Sequence, residues 1–97
     1  MNKFLTFLFI ERTLYSIRDH GDLRALWGYV DMKGVPQREV ERVIYPNLKK
    51  LKKFGIWVRQ APLKDQAGWI DWYARKIAGE IKKEEKSEAK KTATGCH

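Results

Sequence analysis

Apolar positions in the first third of the chain recur at helical intervals. Phe4, Leu5, Phe7, Leu8, Leu14 and Tyr15 fall at steps of three and four, with Glu11 and Arg18 in the same register. This spacing predicts an amphipathic helix over residues 3–18, with Asn2 as its N-cap and an end near His20-Gly21. Asp22 is placed to cap a second helix, in which Leu23, Leu26, Trp27 and Val30 form one stripe before Lys33-Gly34 stops it. Gly28 inside that stretch costs about 1 kcal/mol of helix propensity relative to alanine. Val35-Pro36 opens a third helix, since proline is tolerated where the first N–H has no partner anyway. The pattern carries this helix to Phe54-Gly55, and Pro46 predicts a kink or a fresh start within it.

At Ile56 the period changes to two. Ile56 and Val58 alternate with Trp57 and Arg59, residues 63–68 are polar and turn-like, and Trp69-Ile70-Asp71-Trp72-Tyr73-Ala74 alternates again. Segments 56–61 and 69–74 are thus expected to form a hairpin. The expected fold is mainly α with a small β-hairpin: a winged helix-turn-helix of three helices followed by a two-stranded wing. The domain is assigned to residues 1–79. Residues 80–97 hold five lysines and four glutamates, and Ile81 is their one strongly apolar side chain. Such a segment buries too little surface to offset its ordering entropy, so a fraying, disordered tail is expected.

On a helical wheel of the third helix, Val40, Val43, Ile44, Leu48, Leu51 and Phe54 share an arc of about 140°, while Arg38, Arg42, Tyr45, Lys49, Lys52 and Lys53 share an opposing arc of about 100°. Residues 38–59 hold seven cations against two acids, a net +5 of the chain's formal +8. The five lysines and four glutamates of residues 80–97 leave only +1 there. The positive charge is therefore concentrated on one helix face and the segment that follows it.

Composition narrows the remaining classes. In 97 residues, 43% apolar with four Trp, four Tyr and four Phe, there is material for one core. A pI near 9.7 points to a polyanionic partner. The single cysteine, Cys96, excludes an intramolecular disulfide and a cysteine-based zinc site within one chain, which suggests an intracellular protein, in cytoplasm or nucleoid. The apolar run Phe4–Ile10 ends at Glu11-Arg12 with no cleavage signal, and nothing approaches the roughly 20 apolar residues of a membrane span. There is no phosphate-binding glycine loop, no histidine pair at metal spacing and no nucleophile with a matching base. His20 and His97 read as capping or solvated residues, and Cys96-His97 offers only two ligands. No cofactor, no metal site and no enzymatic activity is expected.

The block Ile44-Tyr45-Pro46-Asn47-Leu48-Lys49-Lys50-Leu51-Lys52-Lys53-Phe54-Gly55-Ile56 resembles the PadR group of winged-helix transcription regulators. That group carries Tyr-Pro, then leucines at this spacing, then a glycine and an apolar residue leading into the wing. Trp27-Gly28-Tyr29-Val30 is similar to the Gly-Tyr of its second helix. Lys52 stands where the group usually has an acid, and its long dimerisation helix has no counterpart here. Gly68, Trp69, Trp72 and Tyr73 are similar to the aromatic wing of the winged helix of archaeal transcription factor E, and some small-subunit ribosomal proteins share these traits.

These resemblances imply a DNA-binding transcriptional regulator, with the third helix in the major groove and the hairpin on flanking phosphates. The expected contacts to double-stranded DNA are Gln37, Arg38, Arg42, Tyr45, Asn47, Lys49, Lys52 and Lys53 on the helix, with Arg59 and Lys64 on the wing. Arg38, Arg42, Gln37 and Asn47 are the side chains able to read base edges, whereas lysines neutralise phosphates. An RNA-binding or ribosomal winged helix and a protein-docking subunit of an assembly stay open as alternatives, as does a homodimer.

Overall fold

In the computed structural model the backbone is described for residues 1–95 and the side chains for residues 1–81. The described residues form five α-helices: α1 (Lys3–His20), α2 (Arg24–Lys33), α3 (Gln37–Ile44), α4 (Leu48–Gln60) and α5 (Leu63–Gly95), with a 3-10 turn, Tyr45–Asn47, between α3 and α4.

Helix α1 is the centre of the molecule, and α2, α3, α4 and α5 all pack on it. It begins where the Asn2 side-chain oxygen accepts the Leu5 N–H at 2.8 Å. It ends at Gly21, whose φ of 74° is a left-handed conformation that favours glycine. Its buried residues are Thr6, Phe9, Ile10, Thr13, Leu14, Ser16 and Ile17. The sequence stripe through Phe4 and Phe7 lies on the rim instead, because a helix surrounded by four others buries more than one face. The hydroxyls of Thr6 and Thr13 donate to the carbonyls of Asn2 and Phe9 one turn earlier, which lets them sit in the core with their hydrogen bonds made. Ser16 ties α1 to the start of α2: its Oγ donates to the Asp22 carbonyl at 2.6 Å and accepts the Ala25 N–H at 3.0 Å.

Helix α2 ends at Gly34, again left-handed at φ 70°. Pro36 precedes α3, and its carbonyl accepts the Glu39 N–H. Pro46 has no N–H to give, so the helical ladder breaks there and the backbone tightens into the 3-10 turn. The Asn47 side-chain amide donates to the Val43 carbonyl at 2.8 Å and closes the gap. Three residues in 3-10 geometry turn the wheel only about 60° further than an α-helix would. Val40, Ile44 and Leu51 therefore all reach the core across the break, with Val43, Leu48 and Phe54 packed beside them.

The expected two-stranded wing is not formed. Residues 56–60 continue α4, residues 69–74 lie inside α5, and among the described residues there is no strand. Two features of the sequence disguise the helices. Gly55 looks like a helix stop but is buried in the middle of α4, between Leu51 and Val58. In α5 the buried residues are Gln66, Ile70, Ala74, Ile77 and Ala78, a helical stripe that starts with a polar side chain. The bulky aromatics that suggest a strand lie off that stripe. The true connection is Ala61-Pro62, where α4 ends in the extended backbone that a following proline demands and α5 begins from the Pro62 carbonyl. The boundary expected after residue 79 falls inside α5, with Ile77 and Ala78 buried and Ile81 packed on the core. The side chains expected to form a tail beyond Ile81, and Cys96-His97 altogether, lie outside the described residues.

Candidate nucleic-acid interface

Side chains on α4 and α5 meet in the order Trp57–Trp69, Phe54–Tyr73 and Lys50–Glu80. The pairs advance in opposite directions along the two helices, so α4 and α5 form an antiparallel helical hairpin. Helix α4 contributes to two surfaces, a basic one with α3 and an aromatic one with α5.

The first is basic. Arg38 and Arg42 on α3 and Lys49, Lys52 and Lys53 on α4 are exposed, and among the described residues none of the five has an ion-pair partner. Glu39 and Glu41 lie between the two arginines on α3. Lys50, on the edge of α4 that faces α5, lies 4.0 Å from Glu80. Tyr45 is half exposed and meets the edge of Trp27, with ring centroids 6.3 Å apart. Gln37 is exposed at the start of α3.

Three residues expected on the interface take other places. The Arg59 guanidinium donates to the carbonyls of Arg18 at 3.0 Å and Ile17 at 2.9 Å, so it caps the C-terminal end of α1, where a cation is favoured. Asn47 is committed to Val43. Lys64 is exposed in the first turn of α5 and sits on no wing.

The second surface is aromatic. Phe54 and Tyr73 stack at 4.0 Å with an interplanar angle of 11°, partly buried against the core. Burial, and Glu80 nearby, hold the Tyr73 hydroxyl above the usual tyrosine range. Outside this pair stand Trp57, Trp69 and Trp72, with relative exposures of 47%, 40% and 50%. Trp57 meets Trp69 edge to face at 5.3 Å, and Trp69 meets Trp72 in the same way at 5.9 Å. The Lys76 ammonium lies 5.3 Å from the Trp72 ring centre. A shallow groove beside them is lined by Lys64, Asp65, Gly68, Trp69 and Trp72. The grouping of these tryptophans needs both segments to be helical, and then Trp57 alone on α4 and Trp69 with Trp72 on α5 face one another across the two-residue turn.

Among the described residues no group of three or more His, Cys, Asp or Glu is placed to hold a metal ion, and no helix is long and apolar enough to cross a membrane. No family model, no curated protein and no solved structure matches this chain.

Proposed function

We propose that this protein binds nucleic acid, with the basic face of α3 and α4 laid against the phosphate backbone. The observation that carries the reading is the set of five exposed cations, Arg38, Arg42, Lys49, Lys52 and Lys53, none of them neutralised by a carboxylate among the described residues. A solvated surface helix commonly alternates its charges, whereas α4 holds no acid at all. Each cation that meets a phosphate releases a condensed counterion, so binding of this kind is steeply salt-dependent and tolerant of sequence. With Asn47 and Arg59 held by backbone carbonyls, Gln37 and Arg38 at the start of α3 are the side chains best placed to touch a base edge.

The test is a titration against duplex DNA, duplex RNA and a single strand at several salt concentrations. Replacing Arg42, Lys49 and Lys53 together by alanine should lower the slope of log affinity against log salt by about 2–3 for a duplex, at about 0.9 per phosphate contact. A matched triple of Lys82, Lys83 and Lys86 removes equal charge elsewhere and should leave most of the slope. Equal losses from the two triples would mean that the protein is a diffuse polycation, and the reading would fall.

A further inference from the structure

We infer that the aromatic surface of the α4–α5 hairpin is a stacking platform for the unpaired bases of a single-stranded nucleic acid. This inference rests on the nucleic-acid reading above and names the strand that the hairpin takes. Three tryptophans in a row, Trp69 touching both Trp57 and Trp72 and each exposed by two-fifths to a half, leave an unusual amount of apolar area on a small surface. Edge-to-face contact hides less of each pair of rings than parallel stacking would, and 40–50% of each residue's surface stays open to solvent. Phe54 and Tyr73 stack beneath them against the core, so the platform has a rigid floor.

The charge around the rings selects the occupant. Lys53 sits one turn before Trp57 on the same side of α4, Lys76 lies over Trp72, and Lys64 lines the groove with Trp69 and Trp72. Among the described residues Asp65 also lines the groove, and Glu80 further along α5 has Lys50 4.0 Å away. A second copy of the chain would bring like-charged rims together, whereas a polyanion that also presents flat rings is attracted by both components. Single-stranded nucleic acid has this chemistry, because its bases are free to stack while its phosphates track the cations. Duplex bases are already stacked and present only their edges. Lys49 and Lys53 also belong to the basic face, so one strand can run from that face onto the platform without leaving positive surface. Gly68 fits this use: a Cβ there would meet nothing within 4 Å, so it has no packing reason to be glycine and it leaves the groove floor low.

The experiment is quenching of intrinsic tryptophan fluorescence in the full chain by a twelve-nucleotide oligothymidylate, an abasic strand with the same number of phosphates, and a blunt duplex. The expected result is preferential binding and quenching by the oligothymidylate, with the abasic strand weaker by about 5- to 100-fold, as loss of base–aromatic stacking requires. Trp57→Ala and Trp72→Ala should lose that preference while keeping the parent salt slope. Gly68→Leu fills the groove without touching the fold, and it should weaken the single strand while leaving the melting temperature equal or raised. Equal affinity for the abasic and base-bearing strands, in a protein that still binds both with a steep salt slope, would overturn the platform and leave the basic face standing. Absence of salt-dependent binding to any of the three would overturn the underlying reading. Vesicles of phosphatidylserine and phosphatidylcholine that quench the tryptophans as strongly as the oligothymidylate would assign the surface to a lipid interface instead. A dimer in sedimentation that Trp72→Ala converts to monomer would assign it to self-association.

Discussion

Gly55 of α4 lies against Ile17 of α1 so closely that a Cβ on the glycine would come within 2.6 Å of the Ile17 Cγ2 and 2.9 Å of its Cβ. The two helix backbones approach at this point because one side chain is missing. Ile17 is β-branched and stiff, and it is itself buried, so it has little room to give way. Gly55→Ala should therefore destabilise the fold by about 1–3 kcal/mol through overpacking, against a propensity gain of about 1 kcal/mol. Gly28→Ala is the control, since a Cβ at Gly28 meets open space and should stabilise by about 0.5–1 kcal/mol. Denaturant titration of both variants reads the opposite signs.

Arg59 separates a structural cation from a binding one. Its loss removes the guanidinium from the Arg18 carbonyl and leaves the Ile17 carbonyl with the Gly21 N–H alone, and Arg59→Ala should cost about 1–2 kcal/mol in chemical unfolding. Lysine has no guanidinium fork and should not restore the pair of bonds. The salt slope of nucleic-acid binding should stay at the parent value, in contrast to Lys49→Ala.

Ser16 is buried and serves as both donor and acceptor between α1 and the start of α2. Ser16→Ala leaves the Ala25 N–H and the Asp22 carbonyl short of a partner, and a loss of about 1–3 kcal/mol is expected. Hydrogen exchange should show the first turn of α2 opening more readily than α4.

Glu11 predicts a pH dependence. Partial burial holds its carboxyl above the ordinary value of 4.5, Arg12 and Arg75 oppose that rise, and Asp71 adds to it. The folded state therefore holds the proton more tightly than the unfolded state does. Glu11's contribution is fully present below its unfolded pKa and is lost as pH rises through the folded one. Glu11→Gln should melt above the parent near neutral pH, and the difference should vanish in thermal melts below about pH 4. A constant difference across that range would remove burial of the charge as its cause.

The first half of the chain was legible because its punctuation is chemical. Gly21 and Gly34 adopt the left-handed conformations that end α1 and α2, and the apolar wheel through Val40, Ile44 and Leu51 meets the core despite Pro46. The second half misleads because its key positions carry little hydropathic signal. Gly55 marks a helix crossing with no side chain, and buried Gln66 bonds to Arg18 and to the Ala61 carbonyl at the start of α5. Within the candidate interface, the exposed cations follow from periodicity alone. The commitments of Arg59 and Asn47, and the meeting of Trp57 with Trp69, depend on contacts that exist only once α4 and α5 are both helices.

The central position of α1 also sets an order of events during synthesis. Its most extensive packing is with α5, the last helix of the five, while α2, α3 and α4 cover its other sides. At about 5–20 residues per second, α1 leaves the ribosome several seconds before α5 can reach it. Through that interval the side of α1 that α5 covers stays open, and a chain halted after Gln60 would present it to whatever else is nearby. The cover of α1 is complete only once α5 has been made, so a polypeptide cut short after Gln60 should aggregate where the longer chain folds.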